Sequence, residues 1–290
     1  MAASDVVVVI GSGGMGRAIA RRVGGGRTVV LADVDQDLLD ATADELVRDG
    51  HRVVRSTVDV SSHGAVAELA RLAAASGRVS NVVHTAGLSP EQASAEKILA
   101  VDLAGVAITL EEFGRVIEPG GSGVVIASMA AHMYPPFEPD VERQLATAPA
   151  DELLRLEACS PERITSSQLA YPFAKRANLI RVAAAATSWG QRGARINSIS
   201  PGVISTAMGR GELAGGSGQF MLQMVEASGT GRIGTPDDIA AAAEFLLGPS
   251  AVVPHRHRPT RRRRGDRGDA YRRPFLADCR RRYAARAARK

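Results

Sequence analysis

Residues 5–16 read D-V-V-V-V-I-G-S-G-G-M-G, and this stretch decides the fold. The β-branched run from Asp5 to Ile10 predicts a strand buried on both faces. The glycines after it allow a tight turn, and the amphipathic segment from Gly14 to Val23 predicts a helix. A strand, a glycine loop and a helix in this order favour binding of a dinucleotide pyrophosphate at the helix N-terminus.

The same alternation continues along the chain. Further strands are predicted over 27–32, 52–58, 79–84, 122–127 and 194–199, and helices over 36–48, 61–76, 91–113, 166–189 and 236–247. Strands alternating with helices of this length predict an α/β protein, a doubly wound parallel sheet flanked by helices. We expect a single domain over residues 1–253. The proline-rich residues 130–165 break the alternation and are interpreted as an insertion.

Composition excludes several classes of protein. The 290 residues are 45% hydrophobic and 23% charged, which supports a large core and excludes global disorder. Two cysteines, Cys159 and Cys279, exclude a disulfide framework, and no metal site is expected from their spacing. No apolar run is long enough to cross a bilayer and no signal-peptide pattern is visible, so a cytoplasmic protein without membrane contact is expected.

The positive net charge comes from the last 37 residues. Residues 254–290 hold 14 Arg and one Lys against three Asp, whereas the rest of the chain has more acidic than basic residues. We expect this segment to be a disordered tail. The acidic body gives no electrostatic reason to bind nucleic acid, so a nucleic-acid partner is not expected. An alternative function is nonetheless a non-catalytic nucleotide- or nucleic-acid-binding protein that uses this basic arm.

An acidic residue stands where a dinucleotide site needs one. Asp33 lies 20 residues after Gly13, at the end of the second predicted strand. There its carboxylate can accept hydrogen bonds from the adenosine ribose and would repel a 2′-phosphate, so NAD is favoured over NADP. The candidate cofactor-binding residues of this region are Gly11, Ser12, Gly13, Met15, Gly16 and Asp33.

Three later residues form a candidate catalytic group. Tyr171 and Lys175 are four residues apart on one face of a predicted helix, so both side chains can reach one cleft. An ammonium group close to a phenol lowers the pKa of the phenol, which would make Tyr171 a usable acid or base. Ser128 ends the fifth predicted strand, where open α/β sheets bind ligands.

Together these motifs resemble the short-chain dehydrogenase/reductase family, a group of Rossmann-like enzymes. The resemblance covers about residues 5–250. It rests on the glycine loop, Asp33, Asp59-Val60, Thr85-Ala86-Gly87, Ser128, Tyr171 with Lys175, and Pro201-Gly202 through Thr206. It implies that Tyr171 is the general acid/base, that Ser128 positions the substrate oxygen, and that Lys175 binds the nicotinamide ribose. It also implies cofactor contacts by Asp59, Val60, Ala86, Gly87, Pro201, Gly202, Val203 and Thr206.

The sequence departs from the family pattern at three places. The glycine loop is one residue shorter than the commonest form. Asp102 replaces the asparagine that supports a water-linked proton path to the lysine, so we place Asp102 among the catalytic candidates. Ser128 and Tyr171 are 43 positions apart because of the insertion. The insertion is expected over the cleft, where His132, Met133, Tyr134 and Phe137 either line a substrate pocket or form a surface excursion.

The resemblance also implies a final strand that the chain lacks. Family members end with a motif similar to T-G-x-x-x-x-V-D-G-G, whereas this chain reads H-R-H-R-P-T-R-R-R-R-G over 255–265. Written in GC-rich codons and read one nucleotide later, these residues give T-G-T-D-L-L-V-D-G-G-V. Our hypothesis is that residues after about 254 are a frameshift product and that the last strand is lost.

These observations predict an NAD-dependent oxidoreductase acting on a secondary alcohol or ketone. The apolar residues of the insertion suggest a bulky hydrophobic or steroid-like substrate. The resemblance implies a homodimer or homotetramer, weakened by loss of the last strand.

Overall fold

The computed structural model describes residues 4–251. Six strands form the sheet: β1 (Asp5–Ile10), β2 (Thr28–Asp33), β3 (Arg52–Thr57), β4 (Arg78–His84), β5 (Ser122–Ile126) and β6 (Arg195–Ile199). The α-helices are α1 (Gly14–Val23), α2 (Gln36–Arg48), α3 (His63–Ser76), α4 (Ala95–Ile98), α5 (Gly105–Val116), α6 (Ala130–Met133), α7 (Pro139–Thr147), α8 (Ala150–Leu153), α9 (Ser167–Gln191), α10 (Ala207–Ala214), α11 (Gly218–Glu226) and α12 (Pro236–Leu247). Short 3₁₀ turns cover Glu157–Cys159 and Pro249–Ala251.

All six strands are parallel, in the order β3-β2-β1-β4-β5-β6. The order reverses between β1 and β4, where Val8 pairs with Val30 on one side and Val82 on the other. This is the Rossmann-like doubly wound sheet expected from the sequence, and it confirms that prediction. In such sheets ligands bind at the carboxyl edge beside the reversal point.

Helices cover both faces of the sheet. Val7 and Val9 of β1 point to one core, shared with α1, α2 and α12, whereas Val6, Val8 and Ile10 point to the other, shared with α3, α5 and α9. Every β1 residue from Val6 to Ile10 is fully buried. The continuous apolar run therefore reflects burial on both faces rather than on one.

The helix predicted over 91–113 has a different form. It begins at Ala95, with the hydroxyl of Ser94 as its N-cap, and ends at Val116. A π-helical turn, Leu99–Ala104, interrupts it and carries Asp102. Similarly, α3 begins at His63, two residues later than predicted, with Ser62 as its N-cap. Apolar periodicity locates a helix, but it does not reveal a π-helical turn, which holds one extra residue, or the exact first residue of the helix.

The insertion is not a surface excursion, because its helices pack against the body of the domain. Its expected position over the cleft stays a prediction. Its helices α6 and α7 pack on α9, and α8 packs on α5. The rings of Tyr134, Phe137 and Phe173 lie with centroids 5.3–5.7 Å apart, in the core beside α9. Burial of Leu145 and Leu153 in the same core explains why a proline-rich segment is ordered there.

A histidine joins the insertion to the body of the domain. His63, at the start of α3, places Nε2 2.9 Å from Glu112 of α5 and Nδ1 2.7 Å from Asp151 of α8. The hydrogen bonds that His63 donates to these carboxylates raise its pKa above the usual value, and the bond to Asp151 has the larger effect. The contact is therefore strongest when the imidazole is charged.

We expect the His63→Gln variant to lose stability in a pH-dependent way. Because the pKa of His63 is raised on folding, its contribution is full below about pH 6.5, the unfolded value, and disappears as pH rises through the folded value. Urea unfolding should show a loss of about 1 kcal/mol near pH 5.5 and a smaller loss near pH 8.5. His51→Gln, outside this contact, is the control. An equal loss at both pH values would contradict the assignment.

The sheet ends at β6 within the described residues. Arg195, the first residue of β6, donates hydrogen bonds to the carbonyls of Leu246, Gly248 and Ala251 and so holds the end of α12 beside this strand. The outer edge of β6 has no strand partner among residues 4–251. The predicted disordered tail over 254–290 and the frameshift hypothesis concern residues outside the described part of the chain.

No helix within residues 4–251 is both long and apolar enough to cross a membrane.

Candidate active site

The predicted site residues converge at the carboxyl edge of the sheet. The loop after β1 carries the glycines, Asp33 ends β2, and the loop after β4 carries Ala86 and Gly87. Ser128 follows β5, and Pro201 to Thr206 follow β6. Segments far apart in sequence therefore meet around one cleft because all strands run in the same direction.

At two positions of the glycine loop, the backbone leaves no room for any residue other than glycine. Gly11 has φ +99°, and a Cβ there would lie 2.5 Å from Thr85 Oγ1. A Cβ on Gly16 would collide with the carbonyl oxygen of Gly11. Thr85 Oγ1 also donates a hydrogen bond to Gly11 O at 2.9 Å, which fixes the loop against the end of β4.

The N-terminus of α1 fits a bound diphosphate. Gly13 is its N-cap and no side chain caps the helix, so the first backbone N–H groups are not used by a capping side chain. A Cβ on Gly13 would meet no atom within 4 Å, which leaves space above the loop. Thr206 borders this space, since its Cγ2 would lie 3.3 Å from a Cβ on Gly14. The uncapped N–H groups and helix dipole suit an anion.

Asp33 is fixed beside the glycine loop. Its Oδ2 accepts hydrogen bonds from the N–H of Ser12 at 2.6 Å and from Ser12 Oγ at 2.8 Å, and its Oδ1 accepts from the N–H of Asp35 at 3.1 Å. Ser12 is 1% exposed, and its hydroxyl ties the glycine loop to Asp33 through this hydrogen bond. The carboxylate thus has a defined orientation at the edge where the sequence predicts a ribose.

Asp59 and Val60 follow β3 but are largely occupied by protein contacts. Asp59 Oδ1 accepts hydrogen bonds from the N–H and Oγ of Ser61, the hydroxyl being the main cause of the lowered pKa of Asp59. Val60 is 5% exposed, and its side chain packs where a Cβ on Gly105 would stand. Their predicted contact with adenine stays a prediction.

The catalytic candidates form a group around the start of α9. Tyr171 is half-buried, and Lys175, one turn later, is 4% exposed with Nζ 5.5 Å from the centroid of the Tyr171 ring. A side-chain hydrogen bond with Ser128 lowers the pKa of the Tyr171 phenol. Ser128 Oγ also accepts a hydrogen bond from the N–H of Ala130 at 3.1 Å, which orients it. The structure thus brings together the three residues that the sequence selects.

Asp102 makes a direct ion pair with the lysine. Its Oδ2 lies 2.9 Å from Lys175 Nζ, and Asp102 is fully buried. A Cβ on Gly87 would come within 3.0 Å of Asp102 Oδ2 and 3.1 Å of Lys175 Nζ, so this glycine leaves room for the pair. The direct contact differs from the water-linked path that the resemblance implies.

The electrostatics of the phenol differ from the sequence-based expectation. Burial raises the pKa of Tyr171 and outweighs the ammonium of Lys175, which lowers it; Asp102 and Glu212 raise it further. The predicted net lowering of the Tyr171 pKa is therefore wrong. Its main physical cause is burial of the phenol, to which the carboxylates of Asp102 and Glu212 add.

Four residues of this site were missed by the sequence-based reasoning. Asn178, three residues after Lys175, donates to the backbone carbonyl of Asp102 at 2.7 Å, and the N–H of Leu88 donates to Asp102 Oδ1 at 2.7 Å. His84 is buried at the end of β4, and burial lowers its pKa to about 3. The one sequence signal for His84 is its position directly before Thr85-Ala86-Gly87. Glu212, whose charge acts on Tyr171, has no signal in the local sequence.

The parallel sheet, the uncapped glycine loop and the tyrosine–lysine pair define a dinucleotide-binding oxidoreductase fold. A family model described as enoyl-(acyl carrier protein) reductase matches residues 9–142 and 143–253. The short-chain dehydrogenase/reductase bsc3 of Alternaria brassicicola is 40% identical over 245 residues, covering 84% of this chain and 89% of that protein. D-threitol dehydrogenase of Mycolicibacterium smegmatis is 30% identical over 262 residues, covering 86% and 87%.

A solved structure shares the fold. The short chain dehydrogenase from Burkholderia cenocepacia in complex with NADP aligns with a TM-score of 0.66 at 21% identity, over 87% of this chain and 93% of that one. The chain belongs to the short-chain dehydrogenase/reductase family and is an oxidoreductase that acts on CH–OH groups or the corresponding carbonyls.

Proposed function

We propose that the protein is an NAD-dependent dehydrogenase/reductase that interconverts a secondary alcohol and a ketone. One observation carries the proposal: Tyr171, Ser128 and Lys175 lie together at the sheet edge that also holds the uncapped glycine loop. A bound nicotinamide would supply or accept the hydride. The residues of the chain would supply orientation and proton transfer.

The proton chemistry is assigned to the phenol of Tyr171. In reduction, its O–H donates a proton to the carbonyl oxygen; in oxidation, the phenolate removes a proton from the alcohol oxygen. Ser128 Oγ would donate a hydrogen bond to the same substrate oxygen and hold it near the phenol. Lys175, buried behind the tyrosine, would bind the nicotinamide ribose through Nζ.

The preference for NAD rests on charge around the end of β2. Between Asp33 and Glu45 the chain has six acidic residues and no basic one. Two arginines form ion pairs with these acids: Arg17 with Glu45, and Arg55 with Asp40 and Asp44. A 2′-phosphate placed beside Asp33 would meet a carboxylate, whereas ribose hydroxyls could donate to it.

Replacing Asp33 should change cofactor discrimination. We expect Asp33→Ser to raise the KM for NAD about tenfold and to leave the KM for NADP equal or lower, because the repulsive carboxylate is gone. Initial rates with each cofactor measure this. Asp37→Ser, an exposed acid of α2, should change neither KM. An equal increase for both cofactors would mean that Asp33 only braces Ser12.

The substrate is proposed to be bulky and apolar. A groove of about 330 Å³ includes Met129, the residue after Ser128. It is lined by the apolar side chains of Val203, Ile204, Met224 and Val225 and by the polar side chains of Ser228, Thr230, Arg232 and Asp238. This supports a hydrophobic or steroid-like alcohol or ketone. A panel of cyclic and linear secondary alcohols with NAD tests the proposal, and a preference for small polyols would contradict it. A cytoplasmic location and a homodimer or homotetramer stay predictions.

No observation on the described residues favours the alternative of a nucleic-acid-binding protein. The basic arm on which that alternative depends lies outside residues 4–251.

A further inference from the structure

The buried ion pair between Asp102 and Lys175 is unlike the other ion pairs of the described chain. Their Oδ2 and Nζ atoms are 2.9 Å apart, and the two side chains are 0% and 5% exposed. In every other ion pair within residues 4–251, at least one of the two side chains is 10% or more exposed. Solvent therefore screens Asp102 and Lys175 least.

The carboxylate is held in one orientation. The N–H of Leu88 donates to its Oδ1 at 2.7 Å, and Asn178 Nδ2 donates to the backbone carbonyl of Asp102 at 2.7 Å. The residue lies in the π-helical turn Leu99–Ala104, whose altered hydrogen bonding directs its side chain toward α9. Asp102 therefore cannot leave Lys175 without breaking these contacts.

The charge that Tyr171 experiences is then that of a pair and not of a lone ammonium. Burial lowers the pKa of Lys175, but Asp102 and Tyr171 together raise it above its ordinary value, so the lysine stays charged. Burial raises the pKa of Asp102, whereas Lys175 and the N–H of Leu88 lower it. The 2.9 Å contact with Lys175 and the hydrogen bond from Leu88 favour the ionised carboxylate. The other groups near the phenol do not restore a positive field. His84 of β4 is neutral because burial lowers its pKa to about 3, and Glu212 of α10 adds a negative charge.

We propose that Asp102 is a positioning residue that fixes Lys175 and cancels most of its charge toward Tyr171, so that the phenol stays protonated at neutral pH and the site favours carbonyl reduction. The inference rests on the proposed function, because it assigns a direction to the same reaction. A protonated phenol can give its proton to a carbonyl oxygen, whereas alcohol oxidation first requires the phenolate. Solvent protons would restore the phenol after reduction.

The Asp102→Asn variant tests the proposal. The amide keeps the shape of the side chain and an acceptor for the Leu88 N–H but leaves the charge of Lys175 uncompensated. We expect the rising limb of kcat against pH for alcohol oxidation to move down by at least about one pH unit relative to the wild-type chain. Asp140→Asn, which removes an exposed acid on α7, should leave the profile unchanged.

A spectroscopic measurement keeps the proposal testable if the variant does not fold. The wild-type chain, labelled with 13Cζ-tyrosine, is titrated by NMR, and the Tyr171 signal is assigned by its absence in Tyr171→Phe. We expect this phenol to ionise above pH 10.0, the ordinary value for tyrosine. Ionisation below about pH 8 in the wild type would overturn the inference. An unchanged pH profile in folded Asp102→Asn would also overturn it.

These outcomes are separate from those of the proposed function. If Tyr171→Phe remains active, the proposed function fails. If Tyr171→Phe is inactive but Asp102→Asn keeps the wild-type pH profile, the oxidoreductase assignment stands and only the role of Asp102 fails.

Discussion

Tyr171→Phe is expected to lower kcat about 10³-fold in both directions and to leave dinucleotide affinity within about twofold of the wild type. The substitution removes the hydroxyl that exchanges a proton with the substrate, and positioned general acids and bases contribute about 10²–10⁴-fold. The ring can keep its place beside Lys175, since Nζ lies 5.5 Å from its centroid. Steady-state rates measure the first effect, and quenching of Trp189 or reduced-cofactor fluorescence on titration measures the second.

A second tyrosine provides the matched control. Tyr134 lies in the insertion, where its ring contacts those of Phe137 and Phe173. Tyr134→Phe keeps those ring contacts and should retain kcat. Equal loss of activity in the two variants would mean that the effect of Tyr171→Phe arises from packing, and loss of dinucleotide binding in Tyr171→Phe would indicate a misfolded site.

Replacing residues 255–265 by T-G-T-D-L-L-V-D-G-G-V is expected to raise the free energy of unfolding by about 2–4 kcal/mol. The shifted-frame sequence supplies β-branched and apolar residues for a strand, and about five new cross-strand pairs at a few tenths to 1 kcal/mol each account for the gain. The structure supports the placement, because Arg195 donates a hydrogen bond to the carbonyl of Ala251 and so holds this segment beside β6, whose outer edge has no strand partner within residues 4–251. The family match also stops at residue 253.

Three chains make this comparison sharp: the natural sequence, a version that ends after residue 253, and the frame-restored version. Urea unfolding should rank the frame-restored chain as the most stable, and amide exchange over Arg195–Ile199 should slow only in that chain. If restoration gives no more stability than truncation, the added segment does not pair with β6. Sequencing of the gene tests the origin of the segment, and an intact reading frame around codon 254 would refute the frameshift hypothesis.

The fold could be predicted because its signals are local and periodic. The apolar run from Val6 to Ile10, the glycines after it and the later strand–helix alternation together determine a doubly wound parallel sheet. The same patterns located Asp33, Ser128, Tyr171 and Lys175 at the ends of strands or on one helix face. The parallel direction of the strands then requires these residues to meet at one edge.

The insertion could not be interpreted in the same way. Its prolines indicate an irregular segment, and its aromatic residues fit a pocket as well as a core. The packing of Leu145 and Phe137 near α9 and of Leu153 near α5 is decided by the shape of the surface that these two helices present, which no local pattern encodes. The bridge from His63 to Asp151 joins residues 88 positions apart and is invisible in sequence spacing.

By itself, the sequence determined the architecture, the dinucleotide loop and the identity of the candidate catalytic residues, because these depend on periodicity and on residue type at strand ends. Only the tertiary structure decided the charge around Tyr171. The π-helical turn rotates Asp102 into contact with Lys175, and the surrounding helices exclude water from both. The ammonium of Lys175 can act on Tyr171 as a lone cation or as half of an ion pair. Which of these holds depends on distances of a few ångströms between segments far apart in sequence, because electrostatic energies at low dielectric change steeply over that range.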